Sequence, residues 1–265
     1  QPYIFTGTDR MVQGRFSPEP YCRRLNGDPL PKNPVAVITG ASEGIGRALS
    51  VKLASEGYTT ILAARSKPNL RETADLVSKV GGEYLVLPMD ITAEAEVESL
   101  FRQASKVGEL ALLVNNAGVA TFKAVEEITL EEWQTMMDVN LTGAFLATRE
   151  AVKLMKKSKA GHIIFINSFS GKRALSWGSG YSATKYGLRG FADTVRIELR
   201  KSNVKVTSVF PGAVDSSWWD KFDFDFPRDQ MVTVDNVVEA VWAAIAQEGR
   251  SVIEEIDLRQ VGGDF

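Results

Sequence analysis

From Val35 onward, short apolar runs alternate with longer amphipathic stretches, and this alternation constrains the fold more than any other feature. The runs are rich in branched residues and lack polar alternation, which is typical of strands buried on both faces of a parallel sheet. Repeated strand–helix alternation predicts a doubly wound, three-layer α/β fold with a mainly parallel, seven-stranded sheet. The predicted strands are Val35–Thr39, Thr60–Ala64, Tyr84–Leu87, Ala111–Val114, His162–Asn167, Val204–Val209 and one near Val252–Ile253.

The amphipathic stretches between these runs predict the helices. Thr129 with Glu132 three residues later forms a capping-box pattern at the start of one helix. Asp235 is predicted to cap the last helix, which runs to about Gln247. The other predicted helices are Ile45–Glu56, Asn69–Val80, Ala93–Lys106, Leu130–Lys157 and Ser182–Lys201.

Residues 1–34 differ from the rest because they hold six of the ten prolines and show no sustained apolar periodicity. We interpret them as an irregular N-terminal arm that lies over the surface or is disordered. The alternative is an arm that packs on a partner subunit through its large apolar residues. Residues 35–265 show no internal repeat, which predicts a single catalytic domain. The apolar residues of the arm are Tyr3, Ile4, Phe5, Phe16 and Tyr21.

A glycine-rich turn, TGASEGIG at residues 39–46, follows the first strand directly and leads into a helix. A tight turn at a helix N-terminus brings backbone N–H groups close to a ligand, at the positive end of the helix dipole. The spacing G-x-x-x-G-x-G differs from the general dinucleotide fingerprint G-x-G-x-x-G. Its position at the first strand–helix junction nevertheless predicts a phosphate-binding turn formed by Gly40, Ser42, Glu43, Gly44, Ile45 and Gly46.

The end of the second strand indicates which dinucleotide is bound. An acidic residue at this place bonds the ribose 2′-hydroxyl of NAD, whereas an arginine accommodates the 2′-phosphate of NADP. The sequence has Arg65 followed by Ser66 and no carboxylate. A guanidinium pairs well with phosphate oxygens, which predicts NADP(H), with NAD(H) as the alternative. Glu43 in the turn opposes this prediction, because a carboxylate there repels phosphate.

A second motif, YSATK at residues 181–185, begins a predicted helix. Residues four apart share a helix face, so Tyr181 and Lys185 are neighbours. An adjacent positive charge lowers a phenol pKa from about 10, which predicts that Tyr181 exchanges protons near neutral pH. Ser168, just past the strand His162–Asn167, is expected to hydrogen-bond a substrate oxygen beside the tyrosine.

Taken together, these motifs resemble those of the short-chain dehydrogenase/reductase family, of the common single-domain Rossmann type. The similarity covers about residues 35–212 and rests on TGASEGIG, on NNAG at 115–118, on Ser168 within INSFSG, and on YSATK. It implies Tyr181 as general acid/base, Lys185 as its pKa-lowering partner and holder of the nicotinamide ribose, and Ser168 as orienter of the substrate oxygen. Asn140 then matches a helix asparagine that positions a water molecule near Lys185.

The same resemblance implies further cofactor contacts. Asp90 matches the acid that contacts the adenine amino group. Two departures from the family pattern concern Ser216 and Ser217, where many members have a threonine, and the ending 254–265, which lacks the usual apolar closing strand. The remaining residues expected against the cofactor are Ile91, Asn116, Ala117, Gly118, Pro211, Gly212 and Val214.

The segment near 213–232 alternates aromatic residues with aspartates after the sixth strand, where open α/β sheets bind ligands. We interpret it as a substrate lid with an apolar inner surface; core packing or a subunit contact is the alternative. The aromatic residues are Trp218, Trp219, Phe222, Phe224 and Phe226. Phe169, Trp218, Trp219 and Phe222 join Ser168 and Tyr181 as candidate substrate contacts.

The sequence therefore predicts an NADP(H)-dependent oxidoreductase that interconverts a carbonyl and a secondary alcohol. An NAD-dependent alcohol dehydrogenase and a catalytically idle NADP(H)-binding sensor or scaffold are the alternatives. A formal charge of -2 argues against nucleic acid as a partner, and no apolar run reaches the roughly 20 residues of a membrane span. His162 is the only histidine, so we expect no metal and no Ser-His-Asp chemistry. The single cysteine, Cys22, suits a cytoplasmic protein, and the family suggests a homodimer or homotetramer.

Overall fold

Seven parallel strands form the centre of the fold, in agreement with the prediction. In the computed structural model, which describes residues 4–5, 33–222, 227–247 and 251–263, they run in the order β4-β3-β2-β5-β6-β7-β10. An eighth, antiparallel strand, β1, pairs with β4 at one edge. The strands are β1 (Ile4–Phe5), β2 (Pro34–Thr39), β3 (Thr59–Ala64), β4 (Tyr84–Pro88), β5 (Glu109–Asn115), β6 (Gly161–Ile166), β7 (Val204–Pro211), a small separate pair β8 (Val214–Asp215) and β9 (Val232–Thr233), and β10 (Glu255–Leu258).

Helices cover both faces of the sheet and form the outer two layers. On one face α3, α5 and α6 pack against alternate strand residues such as Val35 and Val37. On the other face α1, α2 and α7 pack against the intervening residues, such as Ala36 and Ile38. The helices are α1 (Gly44–Ser55), α2 (Lys67–Lys79), α3 (Glu94–Val107), α4 (Leu130–Met137), α5 (Gly143–Ser158), α6 (Ser179–Leu199) and α7 (Val234–Ile245). Within the described ranges, no helix combines the length and apolar character that a membrane crossing requires.

The order of the strands in the sheet determines where a binding cleft opens. From β2 the chain builds outward through β3 and β4, then returns to the other side of β2 and continues through β5, β6 and β7. The connections that leave β2 and β5 therefore diverge, which opens a crevice at the carboxyl ends of these two strands. The glycine-rich turn, the NNAG loop and Ser168 each lie at or just after the carboxyl end of a strand and so border this edge.

Three predicted elements differ in the structure. The helix predicted at Leu130–Lys157 is interrupted by a π-helical turn, Asp138–Thr142, which separates α4 from α5. The last strand lies at Glu255–Leu258 rather than near Val252–Ile253, because alternate residues Ile256 and Leu258 pack on the core. Helix α7 is capped by Thr233, not Asp235.

Hydrogen bonds show which residues cap helices α7 and α4. Thr233 Oγ1 accepts from Asn236 N at 3.1 Å, and Asn236 Oδ1 accepts from Thr233 N at 3.3 Å. This reciprocal pair is a capping box, and it moves the helix start one residue ahead of Asp235. The predicted capping box of Thr129 and Glu132 at α4 is confirmed.

The N-terminal arm is ordered where the structure describes it. Ile4 and Phe5 pair antiparallel with Leu85 and Tyr84, so the expectation of an irregular chain is wrong at these two residues. The remaining apolar residues of the predicted arm, Tyr3, Phe16 and Tyr21, lie outside the described residues.

His162 has the structural role expected for it. Its Nε2 lies 2.8 Å from Thr207 Oγ1 in the core, at the end of β6 away from the cleft. Burial, together with the charge of Lys205, lowers the pKa of His162 to about 3, so the ring is neutral at physiological pH.

Candidate active site

A cleft of about 1130 Å³ runs along the carboxyl ends of the central strands. It brings together nearly all residues singled out in the sequence, although they are spread from the first strand to the segment after the seventh. Gly46 and Asn140 support the cleft from behind, and Phe222 lines a smaller neighbouring cavity of about 440 Å³. The predicted residues that line the cleft are Gly40, Ser42, Glu43, Gly44, Ile45, Arg65, Ser66, Asp90, Ile91, Asn116, Ala117, Gly118, Ser168, Phe169, Tyr181, Lys185, Pro211, Gly212, Val214, Trp218 and Trp219.

One side of the cleft, here called the glycine wall, consists of the turn 39–46, Arg65, Asp90 and the loop 116–118. The turn leaves no room for side chains at two places. Gly40 has φ +66°, and a Cβ there would lie 2.9 Å from Ala117 Cα. A Cβ on Gly46 would overlap the carbonyl oxygen of Gly40. Only glycine satisfies both positions, so the backbone itself forms this surface.

The NNAG loop locks the turn in place. Thr39 Oγ1 accepts from Asn116 N at 3.0 Å and from Ala117 N at 3.1 Å. Asn116 Nδ2 donates in return to Thr39 O at 3.0 Å and to Gly40 O at 3.1 Å. With a fifth hydrogen bond, from Thr39 Oγ1 to Val114 O at 3.2 Å, these contacts join the carboxyl ends of β2 and β5 and pre-organise the glycine wall.

Arg65 stands exposed where β3 ends and makes no hydrogen bond to the described residues. The neighbouring Asp90 has a lowered pKa, chiefly because the Thr92 backbone N–H donates to it, with the charge of Arg65 adding to the effect. Glu43, whose charge opposed phosphate binding in the sequence, forms an ion pair with Lys221 at 2.5 Å. A cation therefore compensates the carboxylate, from a segment that sequence spacing did not connect with the turn.

Tyr181, Ser168 and Lys185 meet at the deep end of the cleft. Tyr181 is partly accessible from the cleft, yet burial raises the pKa of its phenol to about 12, while a hydrogen bond with Ser168 acts in the opposite direction. Burial also lowers the pKa of Lys185 to about 8. Lys185 Nζ lies 5.5 Å from the Tyr181 ring centroid and donates to Ile166 O at 3.2 Å.

The expected lowering of the Tyr181 pKa by Lys185 is therefore wrong for the protein alone. Desolvation dominates both groups, since each loses water on entering the fold and neither gains a close ionic partner. The phenol is consequently protonated at neutral pH, and only part of the lysine population is neutral.

Asn140 lies in the π-helical turn and is 1% exposed. Its Nδ2 donates to Val119 O at 2.8 Å and to Thr184 Oγ1 at 3.0 Å, and its Oδ1 accepts from Val119 N at 2.8 Å. The side chain thus connects the loop after β5 with helix α6, which carries Tyr181 and Lys185. Single π-turns within helices occur frequently at functional sites.

Aromatic side chains surround the Tyr181 ring on the other side of the cleft. Phe122 meets it edge-on with centroids 5.7 Å apart, and Trp218 lies 6.3 Å from it. Trp219 and Phe222 pack behind them, at 4.9 Å each from Trp218. These residues, together with Leu175 and Trp177, are called the aromatic wall below. Phe224 and Phe226 of the predicted lid lie outside the described residues.

The profile of the family described as short chain dehydrogenase matches residues 34–224. The chain belongs to this family. The match includes the glycine turn, the NNAG loop, Ser168, Tyr181 and Lys185, so the motifs quoted from the sequence are those of a short-chain dehydrogenase. This membership also establishes the chain as an oxidoreductase of that family, with the Rossmann-like fold described above.

Individual relatives of this short-chain dehydrogenase match along nearly their whole length. Sepiapterin reductase of Chlorobaculum tepidum is 34% identical over 239 residues, which are 87% of this chain and 98% of that protein. A metagenomic short-chain oxidoreductase solved in complex with NADP is 32% identical, with a TM-score of 0.76, covering 86% and 96% of the two chains. An alcohol dehydrogenase from Thermococcus sibiricus, complexed with 5-hydroxy-NADP, is 31% identical, with a TM-score of 0.79 and coverage of 87% and 97%.

Several cleft residues of this dehydrogenase were not found from its sequence. Phe122 and Trp177 lie in loops without periodicity, and Gln260 reaches the cleft from beyond β10. The position of Gln260 depends on the closing strand β10. The last residue of this strand is Leu258, whose carbonyl oxygen accepts a hydrogen bond from Gly212 N at 2.8 Å. This closing strand lies within the ending 254–265, where acidic residues alternate with Ile256 and Leu258 instead of forming a wholly apolar run.

Proposed function

We propose that the protein is an NADP(H)-dependent oxidoreductase that interconverts a carbonyl compound and a secondary alcohol, with Tyr181 as its general acid/base. The observation that carries this proposal is the convergence of Tyr181, Ser168 and Lys185 in the same cleft that also contains the glycine turn. When bound, the cofactor supplies or accepts the hydride, and the protein provides orientation and proton transfer.

The glycine wall fits a dinucleotide. A turn without room for Cβ atoms presents backbone N–H groups at the N-terminus of α1, where a pyrophosphate is favoured. Arg65 is exposed at the end of β3 and suits a 2′-phosphate, which supports NADP(H) over NAD(H). The pairing of Glu43 with Lys221 removes the main objection to this preference. NADP and 5-hydroxy-NADP in the two structural relatives agree with it.

The remaining residues proposed to hold the cofactor follow the same edge of the sheet. Lys185, with its amine beside the loop 116–118, is proposed to hold the nicotinamide ribose as well as to assist Tyr181. The others are Gly40, Ser42, Glu43, Gly44, Ile45, Gly46, Ser66, Asp90, Ile91, Asn116, Ala117, Gly118, Pro211, Gly212 and Val214.

The proton chemistry follows from the two shifted pKa values. A phenol with a pKa of about 12 is protonated at neutral pH, so Tyr181 can donate its proton to a carbonyl oxygen. Ser168 is proposed to hold that same oxygen, because it lines the cleft together with Tyr181. The Lys185 amine, when charged, stabilises the phenolate that proton donation leaves behind. Asn140 acts through its hydrogen bonds to Val119 and Thr184, which fix the position of these groups.

We also propose that residues 35–265 form one catalytic domain, with a lid near 213–232 and the N-terminal arm 1–34. A homodimer or homotetramer in the cytoplasm is proposed from the family resemblance and from the single cysteine of the sequence.

The first experiment measures oxidation of NADPH by absorbance against cyclic ketones, 3-oxoacyl thioesters, diketones, aldehydes and keto-sugars, with NADH in parallel. We expect turnover of at least one class with NADPH. In Tyr181→Phe the rate should fall by about 10²- to 10⁴-fold, while quenching of tryptophan fluorescence by NADPH is retained. Tyr186→Phe, an exposed tyrosine on the same helix, is the matched control and should keep full activity.

Other outcomes would contradict parts of the proposal. Preference for NADH would favour an NAD-dependent alcohol dehydrogenase. Quenching by NADPH without turnover of any carbonyl would favour an idle binding protein, and full activity in Tyr181→Phe would overturn the assigned general acid/base.

A further inference from the structure

The substrate part of the cleft is lined by aromatic rings in direct contact with the reacting phenol. Phe122 and Trp218 both touch the Tyr181 ring, although they come from the loop after β5 and from the segment after β8. A group attached to a carbonyl carbon that is held at the Tyr181 hydroxyl would therefore lie within reach of these rings. The first substituent of the substrate therefore meets the faces and edges of aromatic rings.

A second set of apolar residues lines the same cleft while remaining exposed. Leu175 is 41% exposed and Trp177 is 62% exposed, and both border the cleft. Trp177 also has φ +59°, a left-handed backbone conformation that costs a residue with a side chain about 1–3 kcal/mol. Lys123 N donates to Trp177 O at 2.8 Å, which fixes this conformation beside the segment that carries Phe122. Strained residues and exposed apolar surface within a cleft both point to ligand contact.

The charges near this part of the cleft are compensated. Lys123 pairs with Glu132, and Lys221 pairs with Glu43, each at 2.5 Å. The only other lysine along the described lining, Lys185, belongs to the deep end with Tyr181. A carboxylate or phosphate on the substrate would therefore have to compete with an existing ion pair for a cation. The lining favours a substrate without negative charge.

Aromatic walls discriminate between flat aromatic and aliphatic groups of equal size. Edge-to-face and offset contacts between rings contribute about 0.5–1.5 kcal/mol beyond the apolar area that they bury. Branched aliphatic side chains would serve an alkyl substrate equally well, whereas the rings next to Tyr181 are those of Phe122 and Trp218. From these observations, and resting on the proposed carbonyl chemistry, we propose that the substrate is an uncharged ketone or aldehyde with an aryl ring next to its carbonyl carbon.

The test compares acetophenone with cyclohexyl methyl ketone, which has the same carbon skeleton and a saturated ring. The measured quantity is the ratio of their kcat/KM values with NADPH, in the wild type, in Trp177→Leu and in Tyr186→Leu. Comparing ratios between variants cancels the difference in intrinsic reactivity of the two ketones. Tyr186 is an exposed aromatic residue of α6 that does not line the cleft, so its replacement is the matched control.

We expect Trp177→Leu to lower the ratio by about 3- to 10-fold, which corresponds to the loss of one aromatic contact, and Tyr186→Leu to leave it unchanged. Phe122→Leu should lower it as well. In the wild type, 4-acetylbenzoate should be a poorer substrate than acetophenone, because the two lysines beside the aromatic wall, Lys123 and Lys221, are already paired with glutamates.

An unchanged ratio in both Trp177→Leu and Phe122→Leu would overturn the aryl preference, as would faster turnover of 4-acetylbenzoate. Turnover of other carbonyls with neither ketone accepted would overturn it too and would leave the proposed function intact. Absence of NADPH oxidation with every carbonyl tested would instead contradict the proposed function itself.

Discussion

The glycine wall and the aromatic wall of the cleft hold their residues in place by different means. The centre of the glycine wall is backbone, fixed by strand register and by the hydrogen bonds between Thr39 and Asn116, and the side chains of Arg65 and Asp90 border it. The aromatic wall consists of side chains from three separate loops, held by ring contacts and by two ion pairs on its rim. A surface made of backbone fits one ligand shape closely, whereas side chains on loops can be exchanged without disturbing the sheet. The comparison suggests that the first wall is specific for a class of cofactor and the second for a particular substrate.

The largest expected effect comes from placing a side chain in the glycine wall. In Gly46→Ala the new Cβ overlaps Gly40 O, so the turn must move; overpacking of this kind costs about 1–3 kcal/mol. We expect binding of both NADPH and NADH to weaken by about 100-fold, measured by fluorescence titration. Trp218→Ala in the aromatic wall should change KM for the carbonyl and leave both cofactor affinities unaltered. Equal loss of cofactor affinity in the two variants would remove the distinction between the walls.

Lys185 lies where the two walls meet, and its buried charge should lower the free energy of unfolding of the wild-type protein. A lysine whose pKa falls from 10.5 to about 8 on burial destabilises the folded state by about 3 kcal/mol while it is charged. Lys185→Met also loses the hydrogen bond to Ile166 O, worth about 1 kcal/mol. The net expectation is a variant about 2 kcal/mol more stable in urea at pH 7, and catalytically impaired.

The pH dependence of that difference has a defined sign. The folded pKa is lowered, so the penalty is fully present below pH 8 and disappears as the pH rises towards 10.5, where the unfolded lysine is neutral too. The stability advantage of Lys185→Met should therefore shrink between pH 7 and pH 10. An advantage that grows with pH would contradict the assignment of the buried amine.

Arg65→Ala tests whether the exposed arginine at the end of β3 binds the 2′-phosphate of NADPH. Charge-assisted hydrogen bonds contribute about 1.5–3 kcal/mol, so affinity for NADPH should fall by about 10- to 100-fold. Affinity for NADH should change little, since it lacks the 2′-phosphate. Arg102→Ala, an exposed arginine of α3 outside the cleft, is the control. Parallel losses for the two cofactors would show that Arg65 does not read the phosphate.

The smallest effect concerns the ion pair that joins the walls. Lys221→Ala leaves the Glu43 carboxylate uncompensated near the proposed phosphate site, and an exposed pair is worth about 0.2–1 kcal/mol. Affinity for NADPH should fall by about 2- to 5-fold at low salt and less at high salt. The double variant Glu43→Gln/Lys221→Ala should restore it. A persistent deficit in the double variant would mean that Lys221 acts on the ligand directly.

The difference between the walls also explains what could be predicted from the sequence. Strand ends, glycines and the spacing of Tyr181 and Lys185 are local features, so the fold and most of the glycine wall followed from them. Phe122 and Trp177 gave no such signal, because nothing in a loop sequence shows which rings will meet after the sheet has formed. The pairing of Lys221 with Glu43 spans nearly the whole catalytic region and is set only by tertiary structure.

Three predictions from the sequence were wrong because they considered only neighbouring residues in the chain. Thr233 and Asp235 are both good helix caps, and the reciprocal bond with Asn236 decides in favour of the threonine. The π-turn at Asp138–Thr142 depends on the contacts of Asn140 with Val119 and Thr184, which periodicity within the helix cannot reveal. The predicted lowering of the Tyr181 pKa was wrong, because the spacing of the motif shows a neighbouring charge but does not show that the phenol loses water on burial.

The position of the closing strand β10 has a consequence for the synthesis of the protein on the ribosome. It completes the sheet beside β7 and brings Gln260 to the cleft, so one margin of the site is built from residues translated after everything else that lines it. All residues of the glycine wall are synthesised before β10, whereas a domain generally folds as a unit. Until residues 255–260 have left the ribosome, however, the edge of β7 stays unpaired. Completion of the cleft therefore waits for the last residues of the domain to be synthesised.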